Sequence, residues 1–189
     1  MAFRSTDYGD CEIVWPTEVH KATILWLHDI AQNCNDSANF VRQLNLPNVK
    51  WICPTAPIRP ITSLGGVETT AWADVNEISE NMEEDIDSFN LVSLFVISLL
   101  QHEPNNGLGG IGLGAAVALY YASPYITGMP NINLRIIVGI NGWLPGWRNL
   151  LHNMQVDYGR PSLAPSLPIL LTQGRIIIQS FPKFVCGSQ

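Results

Sequence analysis

Apolar residues cluster along this chain in short runs without polar alternation, separated by stretches of helical period. The run Ala22-Thr23-Ile24-Leu25-Trp26-Leu27-His28 predicts a strand buried on both faces, as in a parallel sheet. Asn35, Asp36 and Ser37 then offer N-caps for a helix carrying Phe40, Val41 and Leu44 and ending before Pro47. Val49-Lys50-Trp51-Ile52-Cys53 predicts the next strand. Residues 54–70, with Pro57, Pro60 and Gly65-Gly66, read as one long loop, and a loop of that length in a compact domain is usually functional. Residues 79–101 predict the longest helix, acidic from Glu80 to Asp87, where the helix dipole favours anions, and apolar afterwards. Leu134 to Ile140 and Leu167 to Thr172 predict two further strands. Strands alternating with helices imply an α/β fold with a mostly parallel sheet and flanking helices.

Composition narrows the class. A chain of 189 residues, 47% hydrophobic and 14% charged, suits one folded domain with a sizeable core. Its net charge of −6 and scattered cations speak against nucleic acid or anionic lipid as partners. The longest apolar run, Leu91 to Leu100, is too short to span a bilayer and contains Ser93 and Ser98. The polar start Met1-Ala2-Phe3-Arg4 carries neither a signal-peptide core nor a glycine for myristoylation. The expectation is a soluble cytoplasmic protein. Cysteines 11, 34, 53 and 186 have no metal-ligand spacing, so no metal or other cofactor is expected. Cys53 is expected to be a buried thiol; a catalytic role would need a paired histidine, and none is assignable.

The densest chemical signal is Gly110-Ile111-Gly112-Leu113-Gly114, followed by Ala115, Ala116 and an apolar helix. It has the frame of a G-x-S-x-G elbow, a tight strand-to-helix turn where any Cβ is crowded, with glycine at the central position. Other segments agree with this frame. His28-Asp29-Ile30-Ala31-Gln32 resembles an HGxGD loop, and residues 53–62 resemble CPxAPxRPVT. Ala71-Trp72-Ala73-Asp74 resembles SWFD, Asn141-Gly142-Trp143-Leu144-Pro145 resembles SGWLP, and residues 168–174 resemble PILLCHG. In this order, the segments resemble the acyl-protein thioesterase and carboxylesterase family of α/β-hydrolases, in its plant form, from about Cys11 to Gly174.

The resemblance implies an α/β-hydrolase domain over residues 1–174, a divergent tail over 175–189, and the absence of the family's C-terminal strand and helix. It implies hydrolysis of thioesters or esters of long acyl chains, including depalmitoylation of proteins. It also assigns positions: the nucleophile to Gly112, the acid to Ile177, with Gln173 at the histidine of HGxxD, and the base to no residue of the chain. A serine hydrolase needs all three groups. The expected outcome is therefore an inactive member, with an acyl-group or protein-binding module as the alternative class. Acyl chains or an acylated protein are the implied partners. Self-association is expected through an uncovered sheet edge near Ile176-Ile177-Ile178.

Several residues carry a sharp and a plain reading. The resemblance places the oxyanion-hole donors at the backbone N–H groups of Ile30 and Leu113. Asp29 replaces a loop glycine. A carboxylate about 4 Å from a developing oxyanion opposes it by roughly 4 kcal/mol at an effective dielectric of about 20, whereas one turned to solvent does not. Trp72 and Trp143 either line a residual acyl pocket or are packing aromatics. His20, His28, His102 and His152 read as solvated or packing side chains. Gly110-x-Gly112-x-x-Ala115 also satisfies a dinucleotide fingerprint, but residues 103–107 predict only a weak strand before it. No carboxylate follows at the spacing a ribose needs, so a nucleotide-binding protein is the remote alternative.

Overall fold

The computed structural model describes residues 8–77, 83–126, 134–148 and 167–174. Six strands form the main sheet: β1 (Cys11–Val14), β2 (Ala22–Leu27), β3 (Val49–Pro54), β6 (Asn106–Ile111), β7 (Leu134–Ile140) and β8 (Ile169–Thr172). Their order is β1-β3-β2-β6-β7-β8. Only β1 runs antiparallel to its neighbour; every other pairing is parallel. A separate antiparallel hairpin, β4 (Ile58–Ile61) with β5 (Val67–Thr70), stands between β3 and the helix α2 (Ile86–Leu100).

The strand pattern explains the two cores. Trp26 faces one side, where α1 (Cys34–Gln43) packs with Ala38 and Val41 against Trp51 and Cys53. Leu25 and Leu27 face the other side, where α2 and α3 (Leu113–Ile126) pack with Phe89, Val96, Leu113 and Val117. Both sheet faces are covered, which is why these strands read as continuous apolar runs. β6 is the exception in sequence, since it is half glycine. A Cβ on Gly109 would lie 2.8 Å from the Trp26 ring and 2.9 Å from Val138 O, so glycine there lets the indole lie across the strand.

The structure corrects four expectations. The N-cap of α1 is Asn33, whose side chain accepts the Asn35 and Asp36 N–H groups; Asn35 and Asp36 lie inside the helix. Residues 54–70 are not one loop, because Ile61 and Val67 pair across the turn at Gly65-Gly66. The long helix begins at Ile86, capped by Asp85, and Glu84 instead bridges back to Val75. The supposed weak strand at 103–107 is a bend up to Asn105, and only its last two residues open β6 (Asn106–Ile111), a central strand. Residues 149–166 and the tail at 175–189, including Ile177, lie outside the described residues.

Topology places the site. From β2 the chain moves to β3 on one side, then returns through β6 to β7 and β8 on the other. The direction of winding thus reverses between β2 and β6. In open α/β sheets, the crevice at the carboxyl ends of the strands flanking such a reversal is where ligands bind. The loop after β2 and the turn after β6 meet there.

Candidate functional site at the β2 and β6 strand ends

Gly112 occupies the turn between β6 and α3 with φ +55°, the left-handed region that favours glycine. Its N–H donates to Ile140 O at 2.9 Å, and its carbonyl accepts the Ala116 N–H at 3.0 Å, opening the helix. The neighbouring glycines are steric requirements. A Cβ on Gly110 would lie 2.5 Å from the Gly114 carbonyl carbon, and one on Gly114 would collide with the Leu27 carbonyl group. The elbow expected from the sequence is present in shape, wedged against the end of β2.

The loop after β2 reaches over this turn. Ala31 adopts φ 62° and is pinned there by its N–H to Thr70 O at 3.0 Å. Asp29 N–H donates to Gln32 Oε1 at 3.1 Å. These bonds aim the Asp29 side chain at the elbow. Asp29 Oδ1 accepts the Ile30 N–H at 2.8 Å and the Leu113 N–H at 2.9 Å. They are the two donors to which the resemblance assigned the oxyanion. A Cβ built on Gly112 would collide with the same carboxylate. Asp29 therefore takes neither pose anticipated from the sequence: its oxygen accepts both N–H groups directly.

His28, just before Asp29, is buried. Its Nε2 accepts the Ala56 N–H at 3.0 Å, so Nδ1 carries the proton and donates to Asp29 O at 2.6 Å. Burial holds its pKa below the usual 6.5. With both ring nitrogens engaged, the imidazole is a structural strut. His20 lies before β2 and His102 before β6, at the opposite end of the sheet from the elbow. His152 lies outside the described residues.

Trp72 is fully buried, with its ring 5.0 Å from His28. It packs in the core under the loop, so the position offered as a pocket wall is a support. Trp143 is 8% exposed. The segment it belongs to rests on α3, where a Cβ on Gly142 would lie 2.5 Å from the Ala115 Cβ. Gln173 Nε2 donates to Gly142 O at 3.2 Å, and Gly174 N–H to Asn141 Oδ1 at 2.7 Å. Positions 141–142 and 173–174 are thus joined beside the elbow. Cys53 is buried in β3, and burial pushes its thiol up to about 12, far from a reactive thiolate. Among the described residues no cluster of His, Cys, Asp and Glu could hold a metal ion, and no helix is long and apolar enough to cross a membrane.

The dinucleotide fingerprint gains its strand and helix, but its phosphate position is taken. A pyrophosphate at the start of α3 would meet the Asp29 carboxylate on the Leu113 N–H.

This arrangement, a mostly parallel sheet with a glycine elbow at its reversal point, is that of an α/β-hydrolase. The chain matches the phospholipase/carboxylesterase family model over residues 8–173 and belongs to that family. It is 39% identical to Zea mays acyl-protein thioesterase 2, whose solved structure superposes with a TM-score of 0.78 over 87% of this chain and 75% of the maize chain. It is 31% identical to acyl-protein thioesterase 1 of Schizosaccharomyces pombe over 85% of this chain and 70% of the yeast protein. Identity is also 31% with acyl-protein thioesterase 1 of Cryptococcus neoformans, where the match spans about half of that relative, 49%. Asp29 and Gly112, 83 residues apart in sequence, meet in neighbouring loops, and the sequence reading treated them separately.

Proposed function

We propose that this chain keeps the acyl-recognition scaffold of the acyl-protein thioesterases but does not hydrolyse, and that it serves as a binding module for acyl chains or acylated protein. The observation that carries this reading is glycine at the elbow, which has no hydroxyl to attack a carbonyl. His28, the histidine beside the elbow, supports it by having both ring nitrogens committed to the backbone. Acyl-chain binding is supported by the relatives, which are named for acyl-protein thioester chemistry.

The test is purified chain with a fluorophosphonate probe, a p-nitrophenyl acyl ester and a fluorescent fatty acid. The expected result is no adduct, no turnover, and saturable binding of the fatty acid. A stoichiometric serine adduct by mass spectrometry would overturn the inactive reading. Absence of fatty-acid binding would remove the acyl-binding half.

A further inference from the structure

Ile30 and Leu113 present two convergent backbone N–H groups, one from the loop after β2 and one from the first residue of α3. Both donate to a single oxygen, Asp29 Oδ1, at 2.8 and 2.9 Å. The remainder of that carboxylate lies over Gly112, in the space a Cβ would need. We propose that the two N–H groups form a carboxylate-binding site whose resident ligand is the chain's own Asp29, and that glycine at 112 is what admits it.

Two independent features support the assignment. The first is electrostatic: the Leu113 N–H is an orphan donor at a helix start, where an anion is favoured. A carboxylate shared by two such donors makes charge-assisted hydrogen bonds. The second is steric: a side chain at 112 would have to push the Asp29 carboxylate off its two donors. Aspartate at 29 and glycine at 112 are therefore one coupled feature. Their consequence is a site closed from within. An external carbonyl or carboxylate oxygen finds both donors occupied and meets a negative charge. This inference concerns the two donors and Asp29 alone and does not rest on the binding-module reading.

The test is thermal unfolding of the full chain as wild type, Asp29→Ala, Gly112→Ala and the double variant, in sodium acetate or in sodium chloride at equal ionic strength. Gly112→Ala is expected to lower the midpoint by roughly 5 °C or more in the wild-type background. It should cost clearly less beside Asp29→Ala, where only the strain of a positive φ remains. Acetate should refill the emptied hole. At ten times its Kd it raises the folded-to-unfolded ratio of Asp29→Ala about tenfold and leaves wild type unmoved. If Gly112→Ala is too unstable to purify, the acetate titration decides alone. Equal costs of Gly112→Ala in both backgrounds, or no acetate shift specific to Asp29→Ala, would overturn the proposal. Either result would leave the fluorophosphonate outcome untouched.

Discussion

Trp72 Nε1 donates to the carbonyl oxygen of His28 at 2.9 Å, joining two segments 44 residues apart through one buried hydrogen bond. The bond fixes the residue immediately before Asp29, and so helps to aim the carboxylate. Tyr8 and Phe95 pack behind the same indole, with ring centroids at 6.3 and 6.5 Å. Trp72→Phe keeps most of the ring and removes the donor. It should destabilise by about 1–3 kcal/mol, the range for losing one partner of a buried hydrogen bond. Trp72→Ala adds a cavity and should cost about 3–5 kcal/mol. Urea unfolding separates the two; a Phe variant as stable as wild type would show that the bond contributes nothing.

Introducing a serine at the elbow should not confer turnover. In Gly112→Ser the new side chain collides with the Asp29 carboxylate. In Asp29→Gly/Gly112→Ser the space and the donors are free, yet no described histidine is placed to take the proton. What remains is at most the oxyanion and binding contribution, about 10³–10⁴ over water. Ester hydrolysis by either variant at the rate of an active relative would sink this expectation.

Stability should fall as pH drops below about 6.5. Burial lowers the His28 pKa, while the Asp29 carbonyl and the charges of Asp29 and Asp36 offset it only in part. A histidine whose folded pKa is depressed contributes its stability fully above the unfolded value of 6.5, and loses it as pH falls toward the folded value. Urea midpoints measured from about pH 8 to pH 5 should decline over this window. The decline should flatten in His28→Gln, whatever that variant's absolute stability. An unchanged slope in His28→Gln would assign the effect elsewhere.

Association through the outer edge of β8 is a further proposal. That edge has no partner strand among the described residues, and Ile169, Leu170 and Leu171 are 45%, 54% and 50% exposed. An unpaired apolar edge is a template for another chain. Sedimentation of the full chain should show concentration-dependent association, reduced by Leu170→Lys. A monodisperse monomer at all concentrations would reject it.

Much of the fold was legible because burial on both faces leaves a local mark. β2, β3 and β7 are apolar runs whose ends agree with the sequence reading to within two residues, and so is β8, although that edge strand is exposed. β6 was not legible in that way. Asn106-Gly107-Leu108-Gly109-Gly110-Ile111 has little apolar pattern of its own, because its volume is supplied by Trp26 and by neighbouring strands. The hairpin β4–β5 was hidden too, since Pro57, Pro60 and the glycines mark breaks without saying which residues pair across them.

The same division runs through the site. By itself, the sequence determined that the elbow bears no hydroxyl and that a carboxylate, Asp29, follows the last residues of β2. These are matters of residue identity. Only the tertiary structure decided where that carboxylate goes. Asp29 and Leu113 are 84 residues apart, and no local rule links them. Parallel pairing of β2 with β6 brings their ends together, with Leu27 opposite Gly110. The orphan N–H at the start of α3 then finds its acceptor in the adjoining loop. A long-range pairing of this kind is set by the packing of whole elements, and so the hole and its occupant appear only once the sheet is assembled.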